Sequence, residues 1–188
     1  MGLFFCVMLT VLFPSPIRAE EDEGHGVLID DTRGNLYFSH FTWGAEIGSS
    51  IDVTGNDMST FDVDVALGYK NDFIKLAGIG AGIHHSIHAG NNLIPLYVVL
   101  RTSFRKQPSL LFFDVKAGYS FNTISGSDTM GDFYASTGVG INLGKSFKAK
   151  PYIVLSCAYQ RFSDTHLETI YLNNGNIFFA NLVFGVNF

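Results

Sequence analysis

Residues 61–70 read Phe-Asp-Val-Asp-Val-Ala-Leu-Gly-Tyr-Lys, with every second side chain large and apolar. Phe61, Val63, Val65, Leu67 and Tyr69 are apolar, while Asp62, Asp64, Ala66, Gly68 and Lys70 take the positions between them. A helical period would scatter the first set around the axis, whereas an extended chain gathers it on one face.

The same period of two recurs along the chain. Phe41, Trp43, Ala45 and Ile47 alternate with Thr42, Gly44, Glu46 and Gly48, and Ala77, Ile79, Ala81 and Ile83 with Gly78, Gly80, Gly82 and His84. Leu96, Val98, Leu100 and Phe104 oppose Tyr97, Arg101, Ser103 and Arg105. Further on, segments 111–121, 133–142, 152–160 and 178–188 repeat the pattern. Eight strands result, with no long amphipathic helix between them, and the predicted fold is all-β: an eight-stranded antiparallel up-and-down barrel.

Two barrels share this alternation, one soluble with its apolar face inside and one transmembrane with that face outside. An interior made by eight strands is only just wide enough for side chains. The Phe- and Tyr-rich face would overfill it, while the Gly, Ser and Ala of the other face fit. A water-facing surface would also carry about 25–35% charged residues, and the polar face here is mostly Gly, Ser and Asn. Its few charges have both signs: Glu46, Asp62, Asp64 and Asp114 against Arg101, Arg105 and Lys116. An interior can pair them, as buried charges require. The transmembrane barrel is therefore the expectation, and a closed sheet is the one β-structure that can cross lipid without unpaired edges.

The composition agrees. Across 188 residues the chain is 47% hydrophobic and 15% charged, with twenty glycines and eighteen phenylalanines. Its net charge of −5 and lack of a basic run exclude the footprint of a nucleic-acid binder. At the start, the apolar run Leu3–Phe13 is too short for a helical span of about 20 residues. Pro14, Pro16, Arg18-Ala19 and the acidic run Glu20–Glu23 follow it. That order reads as a secretory signal peptide over residues 1–19, then an N-terminal periplasmic segment over 20–35 and the barrel over 36–188. Cys6 leaves with the signal and Cys157 remains alone, so no intrachain disulfide is expected.

The connections sort by charge and length. The set 70–72, 105–108 and 145–150 holds six Lys and Arg residues, and the set 54–58, 86–92, 122–131 and 163–176 holds none. Short turns lie on the periplasmic side of such barrels and longer loops outside. The basic turns are thus expected in the periplasm, and the long loop 163–176 on the cell surface. The final strand ends on Phe188, which reads as the terminal aromatic by which the assembly machinery recognises an outer-membrane barrel.

The segments Ile94–Arg101, Asp114–Phe121, Gly131–Tyr134 with Gly138-Val139-Gly140, Ala158-Tyr159-Gln160 and Gly185–Phe188 together resemble the small, porin-like outer-membrane β-barrel proteins of Bacteroidetes. The resemblance spans most of residues 60–188. It implies a fold and a bacterial outer-membrane location, and it transfers no activity.

One cluster invites an enzymatic reading, His84-His85-Ser86-Ile87-His88. Lipid A deacylases are also eight-stranded barrels and use a His-x-Ser pair with a Glu. Here His84 and Ser86 share the inward parity of Gly78, Gly80 and Gly82, away from lipid, and the nearest Glu, Glu168, lies in a distant loop. His85 faces outward between Ile83 and Ile87. As metal ligands, His84 and His88 share a face and His85 does not, so two ligands are too few. No catalytic residue, metal or cofactor is expected. The site that remains is a lumen charge network of Glu46, Asp62, Asp64, Arg101, Arg105, Asp114 and Lys116. If these groups interlock, the barrel is a monomeric scaffold with a filled lumen, structural, adhesive or ligand-sensing through its loops. If water runs between them, it is a narrow porin. Its expected partners are outer-membrane lipid and lipopolysaccharide, and the barrel-assembly machinery during biogenesis.

Overall fold

The computed structural model describes residues 40–88, 90–104, 110–123, 131–144, 149–162 and 175–188. The signal peptide and periplasmic segment read at 1–35 lie outside these residues, as do Arg105, Glu168 and most of loop 163–176. Eight strands follow in order: β1 (Phe41–Asp52), β2 (Thr60–Tyr69), β3 (Ile74–Ser86), β4 (Asn92–Ser103), β5 (Leu111–Asn122), β6 (Gly131–Asn142), β7 (Lys150–Arg161) and β8 (Asn176–Asn187). Each pairs antiparallel with its neighbours in sequence, and β1 pairs with β8 to close the barrel.

Closure removes the exposed edge that an open sheet would present. It is fastened where the two ends of the chain's barrel meet. Phe188 N–H donates to the Trp43 carbonyl at 2.9 Å, and Thr42 Oγ1 donates to the Phe188 carbonyl at 2.8 Å. Above them the Trp43 and Phe188 rings stack with centroids 4.3 Å apart.

The pleat sorts side chains as the alternation anticipates. Along β2, Thr60, Asp62, Asp64 and Ala66 are buried, while Phe61, Val63, Val65, Leu67 and Tyr69 are exposed. The exposed set continues around the barrel through Ile79, Val98, Leu155 and Leu182, each more than half exposed. A soluble monomer rarely presents so continuous an apolar wall to water. Rings gather at both of its margins: Phe61, Tyr119, Phe121, Phe133 and Phe178 at one end, and Phe41, Tyr69, Phe73, Phe104, Phe113 and Phe188 at the other. Phe188, just past the end of β8, is ten steps along the chain from Phe178. At about 3.3 Å per residue and a tilt near 40°, that is about 25 Å, the height of the apolar band on a transmembrane barrel.

The connections are built from short polar side chains. Between β2 and β3, Asn71 Oδ1 accepts from the N–H groups of Phe73 and Ile74 at 2.8 and 2.7 Å, an Asx turn that reverses the chain in a few residues. Between β1 and β2, the Asp52 carboxylate gathers the N–H groups of Thr54, Asn56 and Met58. Gly55 and Asp57 there adopt positive φ of 79° and 56°.

Candidate functional site

The inward face converges on a chain of charges across the lumen. Each is carried at a strand position that the pleat turns inward, even-numbered on β1, β2 and β5 and odd-numbered on β4. Arg101 on β4 is 1% exposed. Its Nη2 lies 2.5 Å from Glu46 Oε1 on β1 and 2.6 Å from Asp114 Oδ2 on β5, and its Nη1 reaches Asn187 Oδ1 on β8 at 3.4 Å. Lys116 on β5, the strand opposite β1, sends Nζ to Glu46 Oε2 at 2.5 Å and stands 3.9 Å from Asp64 Oδ2 on β2. One carboxylate, Glu46, thus joins both cations.

The register explains why cations from the far wall are needed. Glu46 and Asp64 are cross-strand neighbours on β1 and β2, and two like charges side by side are unfavourable. Arg101 and Asp114 are themselves register partners. The rest of the lumen's acidic wall is held by neutral donors. Tyr152 OH donates to Glu46 Oε1 at 2.6 Å and Tyr97 OH to Asp64 Oδ1 at 2.9 Å. Asp62 accepts from the Ser50 hydroxyl and from Thr60 at 2.5 Å.

His84 lies between the two aspartates, with Nδ1 3.6 Å from Asp62 Oδ1 and Nε2 3.4 Å from Asp64 Oδ2. Its Nε2 makes no hydrogen bond of good geometry, and neither does Asn181 Oδ1. Both border a small lumenal cavity that Asp64, Tyr134, Ser136 and Ser156 also line, with room for about one water molecule.

Aromatic rings pack the charges in place. The Arg101 guanidinium lies 4.5 Å from the Tyr152 ring centroid and 5.4 Å from that of Phe112, and Lys116 Nζ lies 4.9 Å from that of Tyr97. The rings stand opposite glycines: Phe112 pairs with Gly140, Tyr152 with Gly185 and Gly80 with Tyr97. A Cβ built on any of these glycines would strike its partner ring. At the end of the lumen near loop 53–59, Met58, Leu93, Phe162, Ile177 and Phe179 are buried. At the other end Phe112 and Tyr152 meet edge to face at 5.6 Å.

Of the network read from the sequence, Asp114, Arg101, Glu46, Lys116 and Asp64 form a chain in which each lies within ion-pair distance of the next, Asp62 is held by hydroxyls and lies near His84, and Arg105 lies outside the described residues. Tyr97, Tyr152, Phe112 and Phe179 are added to the interior. Tyr97 and Tyr152 were visible in parity alone, sitting in step with Arg101 and Ser156. Phe112 and Phe179 are hidden because each stands beside another Phe in sequence.

His84 and Ser86 are both buried. His84 turns both ring nitrogens into the lumen, toward Asp62 and Asp64, so it presents neither to a lipid. His85 is exposed and shares a 2.8 Å hydrogen bond with Asn92 Oδ1, and His88 is exposed. Among the described residues no three His, Cys, Asp or Glu side chains form a metal-holding group.

No protein-family model and no curated protein matches the chain. Its fold is similar to that of the N-terminal β-barrel domain of Pseudomonas aeruginosa OprF, at 15% identity and a TM-score of 0.52 over 78% of this chain and 97% of that one. Looser overlaps are found with Neisserial surface protein A (15% identity, TM-score 0.49, 79% of this chain and 94% of that one) and with the outer membrane enzyme PagL (12% identity, TM-score 0.49, 76% and 97%). At these identities the likeness bears on fold alone: a closed, antiparallel, eight-stranded barrel of the transmembrane kind.

Proposed function

We propose that this chain is a monomeric, integral protein of the bacterial outer membrane whose filled lumen makes it a non-conducting scaffold for its outer-end loops. The observation that carries this reading is Glu46, held at once by Arg101, Lys116 and Tyr152 from three strands across the lumen. Such an arrangement leaves the centre of the barrel occupied by side chains. Buried ion pairs are weak contributors to net stability but costly to break, so the network resists opening.

The apolar wall with two aromatic margins supports the membrane location, and the sequence resemblance to small outer-membrane barrels of Bacteroidetes supports the same compartment. The basic turns at 70–72, 105–108 and 145–150 point the turn end to the periplasm, leaving loops 54–58 and 163–176 to adhere to or sense something outside. Lipopolysaccharide would surround the outer rim, and the assembly machinery would engage Phe188. A narrow porin is the second reading, favoured by the cavity beside His84 and Asn181, whose unpaired atoms call for water. The deacylase reading has no such support, since Ser86 is fully buried.

Labelling tests the placement. In a Cys157→Ser background, Asp57→Cys should react with a membrane-impermeant maleimide on intact cells and Asp72→Cys only after the outer membrane is breached. The reverse pattern, or recovery of the protein in the soluble fraction, would contradict it.

A further inference from the structure

Among the described residues the outer end of the barrel carries a single Lys or Arg, and it stands over a ledge of aromatic rings. Connections 53–59, 87–91, 123–130 and 163–175 contain no Lys or Arg. Among the described residues, Lys70, Lys75 and Lys150 lie at the opposite end and Arg101 and Lys116 in the lumen. Arg161, the last residue of β7, is therefore the single Lys or Arg described at the outer rim. It has the outward parity of Tyr159 and is exposed. No described carboxylate pairs with it.

One pleat below Arg161, on the same outward face, three adjacent strands contribute rings. Tyr159 on β7 lies 5.2 Å from Phe178 on β8 and 6.2 Å from Phe133 on β6, centroid to centroid. Tyr159 OH donates to Asn176 Oδ1 at 2.5 Å. Asn176 is the register partner of Arg161, so the ring is pinned with its hydroxyl at the level of the cation. The patch is a guanidinium at headgroup height above an apolar shelf at acyl height.

A partner for this surface must match both levels. It lies on the wall that faces lipid and not on the loop tips, so a lipid suits it better than a soluble protein. The guanidinium fork matches two oxygens of one phosphate. Elsewhere at this level, Tyr119 and Phe121 have no Lys or Arg beside them among the described residues, and Phe61 has only His85 across the strand pair. The site is thus local and not a property of the whole rim.

We propose that Arg161, Tyr159, Phe133 and Phe178 form a docking site for one phosphate-bearing glycolipid of the outer leaflet, with Arg161 on a headgroup phosphate and the rings against its acyl chains. The choice of leaflet rests on the orientation proposed above.

Native mass spectrometry of the detergent-folded barrel tests it, with three probes: bisphosphorylated lipid A, the same lipid stripped of phosphate, and inorganic phosphate. The bisphosphorylated lipid should add once to the barrel. Arg161→Gln should weaken that adduct about tenfold or more, the size of a lost charge-assisted hydrogen bond. Arg161→Lys should retain part of it, Tyr159→Ala should weaken it as well, and Lys150→Gln at the far end should leave it unchanged. Undiminished binding by Arg161→Gln, equal binding of the dephosphorylated lipid, or an equally strong adduct with inorganic phosphate would each overturn the proposal. A heat-modifiable gel band for every variant establishes that it is folded. Orientation is read separately by the cysteine labelling, so a wrong leaflet and an absent site give different results.

Discussion

Tyr152 fills the space that Gly185 leaves open: the two are register partners on β7 and β8, and a Cβ on Gly185 would clash with Tyr152 Cζ. The ring has nowhere to retreat, since Arg101 lies over one face, Phe112 meets it edge to face, and Glu46 holds its hydroxyl. Gly185→Ala should therefore cost about 1–3 kcal/mol through overpacking. Urea unfolding of the vesicle-inserted barrel measures it. In a Tyr152→Ala background, with the ring gone, the same substitution should cost much less; an equal loss in both backgrounds would mean that the pair does not set the packing.

Arg101 bridges two carboxylates, and removing it takes the cation from Asp114 while Glu46 keeps Lys116 and Tyr152. Arg101→Met should cost about 3–5 kcal/mol, the range for breaking a buried pair from one side. Adding Asp114→Leu removes the stranded charge, while Lys116 and Tyr152 still hold Glu46. The double variant should then be more stable than the single. Additive losses in the urea series would contradict the network described for Arg101 and Asp114.

The fold was legible because strand parity is a one-dimensional property. The alternation from Phe61 to Tyr69 assigns each side chain to a face without reference to any other strand, and closure follows once no edge can be left in lipid. The lumen was legible only in its membership. That Glu46 would join Arg101 and Lys116 depends on register and on which strands oppose one another across eight, and a single sequence carries neither. Phe112 and Phe179 illustrate the limit. Each sits in a Phe-Phe pair, and in such a pair hydrophobicity cannot tell the inward ring from the outward one; the glycine facing Phe112, Gly140, lies on another strand.

Leu155 is at mid-height on the outward face of β7 and is 67% exposed. If that face meets hydrocarbon, Leu155→Arg should destabilise the inserted barrel by about 2–4 kcal/mol. Lys150→Arg, at the basic end, should have little effect. A soluble barrel would tolerate Leu155→Arg or gain solubility from it, and a vesicle-folding assay on a gel separates the two.

Single-channel recording reads out whether side chains close the lumen. The barrel is folded into a planar bilayer, with insertion verified by a heat-modifiable band from the same preparation. With Glu46 held from three strands, the membrane should show no discrete conductance steps above the protein-free baseline. Regular unitary steps from the inserted wild-type chain would contradict the closed lumen and favour the narrow pore.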